Sequence, residues 1–153
     1  MTVKAKICIG SLGNCGGCDE AIVDLNEELL RITSAADLVF WPTALDFKYH
    51  HLEAMADGEI DLSLLSGHIR NSEQEEIARL IRRKSQVVLA FGTCACFGGT
   101  PGLANFRTRE DILEWVYRSA PTVVNPNGRY PKTKVQIGGA VLTLPEFYNR
   151  VSS

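Results

Sequence analysis

Four short apolar runs divide the chain. Lys6–Gly10 (KICIG), Asp37–Trp41 (DLVFW), Ile60–Ser66 (IDLSLLS) and Gln86–Phe91 (QVVLAF) each read as a strand, the second stopped by Pro42. The last run is continuous and β-branched, as a strand buried on both faces should be. Between the runs the apolar spacing becomes helical. Asp19 to about Arg31 places Ile22, Leu25 and Leu29 on one face, with acids where the helix dipole favours them. Ser72 with Glu75 forms a capping box ahead of Ile77, Leu80 and Ile81, and Arg82-Arg83-Lys84 loads the helix end with positive charge. Thr108 with Asp111 caps a further helix carrying Ile112, Leu113, Val116 and Tyr117. Thr43–Gly58 is mixed and reads as a loop with one helical turn; Gly67–Asn71 is a loop. Pro, Asn and Gly dominate from Pro121 to Pro131, and Lys134–Leu144 is hairpin-like.

Strands that alternate with helices call for a parallel sheet covered on both faces. The expected fold is α/β, a flavodoxin-like three-layer domain. Residues 1–120 are expected to form the flavodoxin-like body, and 121–153 an irregular C-terminal extension of the same domain. The length, 153 residues, suits one domain, and 45% hydrophobic residues supply a normal core.

The formal net charge of −2 gives no electrostatic case for nucleic acid or an anionic membrane surface. No apolar run approaches the ~20 residues of a membrane-spanning helix. Met1–Lys6 enters an apolar strand directly and has neither a secretory nor a twin-arginine signal, so the cytoplasm is the expected location. The cysteine count is odd: Cys8, Cys15, Cys18, Cys94 and Cys96. With no sign of secretion, that argues against a disulfide framework and for a metal site or redox chemistry.

Two cysteine loops carry the candidate chemistry. Ser11-Leu-Gly-Asn-Cys-Gly-Gly-Cys18 follows the first strand, and Gly92-Thr-Cys-Ala-Cys-Phe-Gly-Gly99 follows the fourth. In open α/β sheets, ligands bind beyond the carboxyl ends of the strands, so these loops can meet despite their separation in sequence. Glycines leave backbone N–H groups free to approach sulfur, and the first loop sits where a helix begins. A CxxC taken alone serves zinc, thioredoxin-like redox chemistry and iron–sulfur sites alike, or simply remains as reduced thiols.

Taken together, Gly13-Asn-Cys-Gly-Gly-Cys-Asp-Glu20 and Gly92-Thr-Cys-Ala-Cys-Phe-Gly-Gly-Thr-Pro-Gly102 resemble the small subunit of [NiFe] hydrogenases. The likeness is to the cytoplasmic F420-non-reducing, methyl-viologen-reducing type. Ala21–Glu27 and Gly67–Asn71 fit the same family, and the resemblance covers essentially the whole chain. It implies an electron-transfer subunit with a proximal [4Fe–4S] cluster beside a large subunit's nickel–iron centre. By motif, Cys15, Cys18 and Cys94 match three cluster ligands, Cys96 a position that is not a ligand, and Glu20 an acidic position with a proton or electrostatic role. The family's fourth ligand lies in a Gly-Cys-Pro-Pro motif that these residues lack, so the fourth ligand is not identified. At Ser66 the family commonly has an acid. Implied partners are a hydrogenase-type large subunit and ferredoxin-like or heterodisulfide-reductase-type electron-transfer subunits.

Two other functions compete with this one. The fold suits an FMN-binding module, with Ser11 and Thr93 as the available hydroxyls. A clusterless subunit that holds a redox complex together is the other. Elsewhere ordinary readings prevail: Cys8 and Cys96 as packing residues, His50 and His51 as solvated side chains, His68 as a loop histidine on the cluster side, and Phe40 and Trp41 as core or subunit interface.

Overall fold

The computed structural model describes residues 3–153; the first two residues of the Met1–Lys6 segment lie outside the described residues. Four parallel strands form the central sheet: β1 (Ala5–Ser11), β2 (Ala36–Phe40), β3 (Ile60–Ser66) and, after a short β4 (Ile69–Asn71), β5 (Ser85–Phe91). Their order across the sheet is β2-β1-β3-β5, so the chain steps outward from β1 in both directions. That is the doubly wound order of flavodoxin-like sheets.

Helices pack on both faces of the sheet, but the edge strand β5, expected to be buried on both faces, leaves Val87 and Leu89 half-exposed. On one side Cys8, Phe40, Ile60 and the partly buried Val88 pack against Leu52 of α3 (Tyr49–Glu53) and Leu80 and Ile81 of α4 (Ser72–Lys84). On the other, Ile7, Ile9, Trp41, Leu64 and Phe91 meet Ile22 of α1 (Gly17–Val23) and Leu29 of α2 (Glu28–Ala35). The alternation along β1 produces this division, because successive strand side chains point to opposite faces.

Several local expectations change. The helix expected from Asp19 to Arg31 is two helices. Asn26 takes a positive φ of 48° and its side-chain amide donates to the Asp24 carbonyl, which breaks the helical path. The capping box ahead of α4 lies one residue earlier than Ser72/Glu75: Asn71 Oδ1 accepts from the Gln74 N–H at 2.9 Å, and Gln74 Oε1 reaches back to the Asn71 N–H. Gly67–Asn71 is not all loop, since it holds β4. The box at Thr108 and Asp111 is as expected and starts α6 (Arg109–Glu114).

The C-terminal segment is more regular than an irregular extension. β6 (Lys134–Ile137) and β7 (Ala140–Thr143) form the hairpin. β8 (Phe147–Ser152) returns to pair antiparallel with β4. Asn105 exchanges two hydrogen bonds with Val151, and Ser72 exchanges two with Glu146, so β8 ties the segment after the second cysteine loop to the start of α4.

Candidate functional site: two cysteine loops at one sheet edge

The register of the sheet sets the site. Ser11 lies opposite Ser66, and Ser66 opposite Phe91, so β1, β3 and β5 end in one row. The first cysteine loop leaves this row from β1 and the second from β5. The Leu12 N–H donates to the Ser66 carbonyl, and Gly13 and His68 exchange two backbone hydrogen bonds. The first loop is thereby held down on the end of β3.

Cys18, in the first turn of α1, is half-buried and reaches across to β5, where its thiol donates to the Phe91 carbonyl at 3.7 Å. Gly92 makes this approach possible. A Cβ at Gly92 would lie far inside van der Waals contact distance of Cys18 Sγ, and Gly92 has φ 86° and ψ 167°, a region that essentially only glycine occupies. Gly99 plays the same part for Cys94: a Cβ there would lie 2.9 Å from Cys94 Sγ and 3.1 Å from its Cα. Gly99 has φ 54° and ψ −154°. Each of these glycines therefore lies directly against a cysteine of the rim.

Residues Thr93–Phe97, expected as loop, form a single helical turn, α5, in which the Cys96 N–H donates to the Gly92 carbonyl and the Gly98 N–H to the Cys94 carbonyl. Cys94 is half-buried. Cys96 is exposed rather than packed, with its sulfur 3.4 Å from the Ala90 carbonyl. Cys15 is exposed at the outside of the first turn. Burial raises the Cys18 thiol above its ordinary value, and the neighbouring Cys94 and Cys15 add to the shift, with smaller contributions from Asp19 and Cys96. As placed, no group of three or more Cys, His, Asp or Glu side chains among the described residues forms a closed metal-binding set.

Cys8 stands apart from the rim. It is fully buried mid-strand, and burial pushes its thiol up to about 11 despite a hydrogen bond with Ser63. A protonated buried thiol is inert as nucleophile and ligand. Cys8→Ala is expected to cost about 1–2 kcal/mol, as measured by urea unfolding.

Glu20 is exposed on the first turn of α1. The neighbour that reasoning from the sequence passed over is Asp19. It is 3% exposed; its Oδ1 accepts from Trp41 Nε1 at 2.9 Å and its Oδ2 from Ser11 Oγ at 2.5 Å. Trp41 is therefore core, with its N–H paired. His68 Nδ1 is buried without a partner among the described residues; burial lowers the ring's basicity, the Gly13 backbone raises it, and nearby Arg70 lowers it again. Arg70 is itself buried, with its guanidinium over the Phe147 ring.

Known proteins are similar to this chain in sequence and fold. The chain is 46% identical over 147 residues to the F420-non-reducing hydrogenase iron-sulfur subunit of Archaeoglobus profundus, covering 95% of this chain and 46% of that protein. It is 36% identical over 147 residues to a subunit of the F420-non-reducing hydrogenase of Methanothermobacter marburgensis, with the same coverage. The chain thus spans about half the length of these curated relatives. Among solved structures it matches a chain in the crystal structure of NAD+-reducing [NiFe]-hydrogenase in the H2-reduced state, with a TM-score of 0.77 and 27% identity over 98% of this chain and 75% of that one. Residues 15–143, from the first rim cysteine through the hairpin, match one family model. The chain therefore belongs to the family described as NADH ubiquinone oxidoreductase, 20 Kd subunit, whose matched relatives here are hydrogenase subunits.

Proposed function

We propose that this chain is the electron-transfer small subunit of a [NiFe]-hydrogenase-type complex and that Cys15, Cys18 and Cys94 hold a proximal-type [4Fe–4S] cluster. The observation that carries this reading is the seat of Cys18 on Gly92, which brings the two cysteine loops to one rim. The donor set fits such a group. The three thiols are soft ligands, and two of them rest against glycines that leave no room for a side chain. When bound, the cluster would supply one-electron transfer. The chain's part is to present the thiols, to give up their protons on coordination and to limit solvent around the sulfurs. The raised Cys18 thiol implies that loading at this position releases a proton at neutral pH. The fourth coordination position falls to a residue outside these 153, or to Cys96, which is exposed near the same rim. A hydrogenase-type large subunit docks over the exposed Phe97, Leu103 and Phe106, which follow Cys94 along the chain. Ferredoxin-like or heterodisulfide-reductase-type subunits pass the electron on. Glu20 acts at the exposed start of α1 on protons or charge, and the complex works in the cytoplasm.

Anaerobic isolation of the native complex tests this proposal. Iron and acid-labile sulfide are expected with this chain, together with the broad visible absorption of thiolate-bound iron. Cys94→Ser is expected to remove most of that iron and Cys96→Ser to retain it; loss in Cys96→Ser would make Cys96 the fourth ligand. A colourless, iron-free native complex rejects the reading, and yellow FMN released on denaturation would replace it with a flavin module.

A further inference from the structure

We propose that Asn14, Ser66, Ser11 and Asp19, together with Trp41, form a closed polar clamp on the Cys15–Cys18 turn, with Asp19 as the positioning residue that seats Cys18 and places a negative charge against the metal centre. The inference rests on the reading above that Cys15 and Cys18 bind an iron–sulfur centre.

Each end of the turn has its own fastening. Before Cys15, Asn14 donates through Nδ2 to Ser66 Oγ at 2.8 Å and accepts the Gly16 N–H on Oδ1 at 2.8 Å. After Cys18, Asp19 accepts from Ser11 and Trp41. The two fastenings join below the turn, where the hydroxyls of Ser11 and Ser66 lie 3.2 Å apart. They stand opposite each other because β1 and β3 pair in that register. The ring Asn14–Ser66–Ser11–Asp19 therefore closes on the cysteine turn from below. Asp19, Trp41 and Ser66 are each 3% exposed while Ser11 and Asn14 are half-buried, so the Trp41–Asp19 bond is the one most shielded from water.

Donor accounting fixes the direction of the chain. A hydroxyl has one proton to give. Ser11 gives its proton to Asp19, so in the Ser11–Ser66 bond Ser66 is the donor, while it accepts from Asn14. The other acceptor within reach of Ser66, the Gly10 carbonyl, is more distant at 3.4 Å. The protons of the chain thus point toward Asp19, and both carboxylate oxygens act as acceptors. Bonds aligned in this way polarise one another and hold the negative charge one residue from Cys18.

Position and charge can be tested separately in the assembled complex. Ser11→Ala removes the link at the centre of the ring but keeps the Asp19 charge. It should release iron to a chelator about tenfold faster, the loss expected for a hydrogen bond to a charged group, while leaving the midpoint potential near that of the parent. Asp19→Asn keeps the size and the Trp41 acceptor but removes the charge. It should shift the midpoint potential upward, because a nearby negative charge opposes the incoming electron. Iron release at the parent rate in Ser11→Ala overturns the positioning role, and an unmoved potential in Asp19→Asn overturns the electrostatic one. If Ser11→Ala does not assemble, Asn14→Ala cuts the ring at its other end and carries the same chelator test. Failure of the cluster assignment gives a different signature, since the parent complex then holds no iron. Maleimide labelling of Cys18 in iron-free protein still tests the clamp: faster labelling in Ser11→Ala supports it, and an unchanged rate overturns it.

Discussion

Gly92→Ala is expected to abolish the iron–sulfur loading proposed for the rim and to destabilise the domain by about 2–4 kcal/mol. Two independent penalties combine. The backbone at φ 86°, ψ 167° lies where a Cβ is strained against its own chain. The same Cβ would also occupy the space of Cys18 Sγ, so the thiol must leave the Phe91 carbonyl. Cys18 has little room to retreat, because the next residue is Asp19, fixed by Ser11 and Trp41. Iron content of the assembled complex and the urea midpoint are the measurements. Gly102→Ala is the matched control in the same segment: its Cβ meets only the Phe97 carbonyl oxygen at 3.9 Å, an ordinary contact. Full iron loading in Gly92→Ala would show that the two loops do not depend on this contact.

Phe40→Ala should cost about 3–5 kcal/mol through the lost apolar transfer and the cavity left behind. Phe40 is 1% exposed and belongs to the cluster that joins Cys8, Leu52, Ile60 and Ile81. Its ring lies 6.2 Å from that of Phe47 and 5.8 Å from that of Tyr49, so it also anchors the connection between β2 and α3. Against a typical domain stability of roughly 5–15 kcal/mol, the loss is large enough to read directly from chemical unfolding. Phe106→Ala, at 85% exposure, is the contrast and should change stability by less than about 0.5 kcal/mol. A midpoint in Phe40→Ala close to the parent's would mean that this face of the sheet is not the principal core.

Two of the local features that the sequence did not reveal share a cause. The break at Asn26 and the one-residue shift of the α4 cap both depend on which polar side chain finds a backbone partner. Asn26 reaches Asp24, and Asn71 rather than Ser72 faces the first turn of α4. Side chains of comparable propensity compete for such positions, and packing decides between them. β8 was invisible for another reason: its partner β4 is only three residues long and lies some 80 residues away in sequence, so no local pattern marks the pairing. Cys96 looked like a packing residue because it stands two residues from Cys94 on a tight turn, yet on that single helical turn it is exposed while Cys94 is half-buried.

What the sequence determined by itself was the strand–helix alternation, hence the parallel three-layer sheet, and the two glycine–cysteine segments placed at strand ends. Periodicity is local, so it can be read locally. The tertiary structure alone decided that Gly92 is the seat of Cys18, that Asp19 rather than Glu20 is the buried acid, and that Ser11 and Ser66 join the two ends of the cysteine turn. Those pairings depend on strand register and on the close approach of chain segments far apart in sequence, and neither is encoded in any window of neighbouring residues.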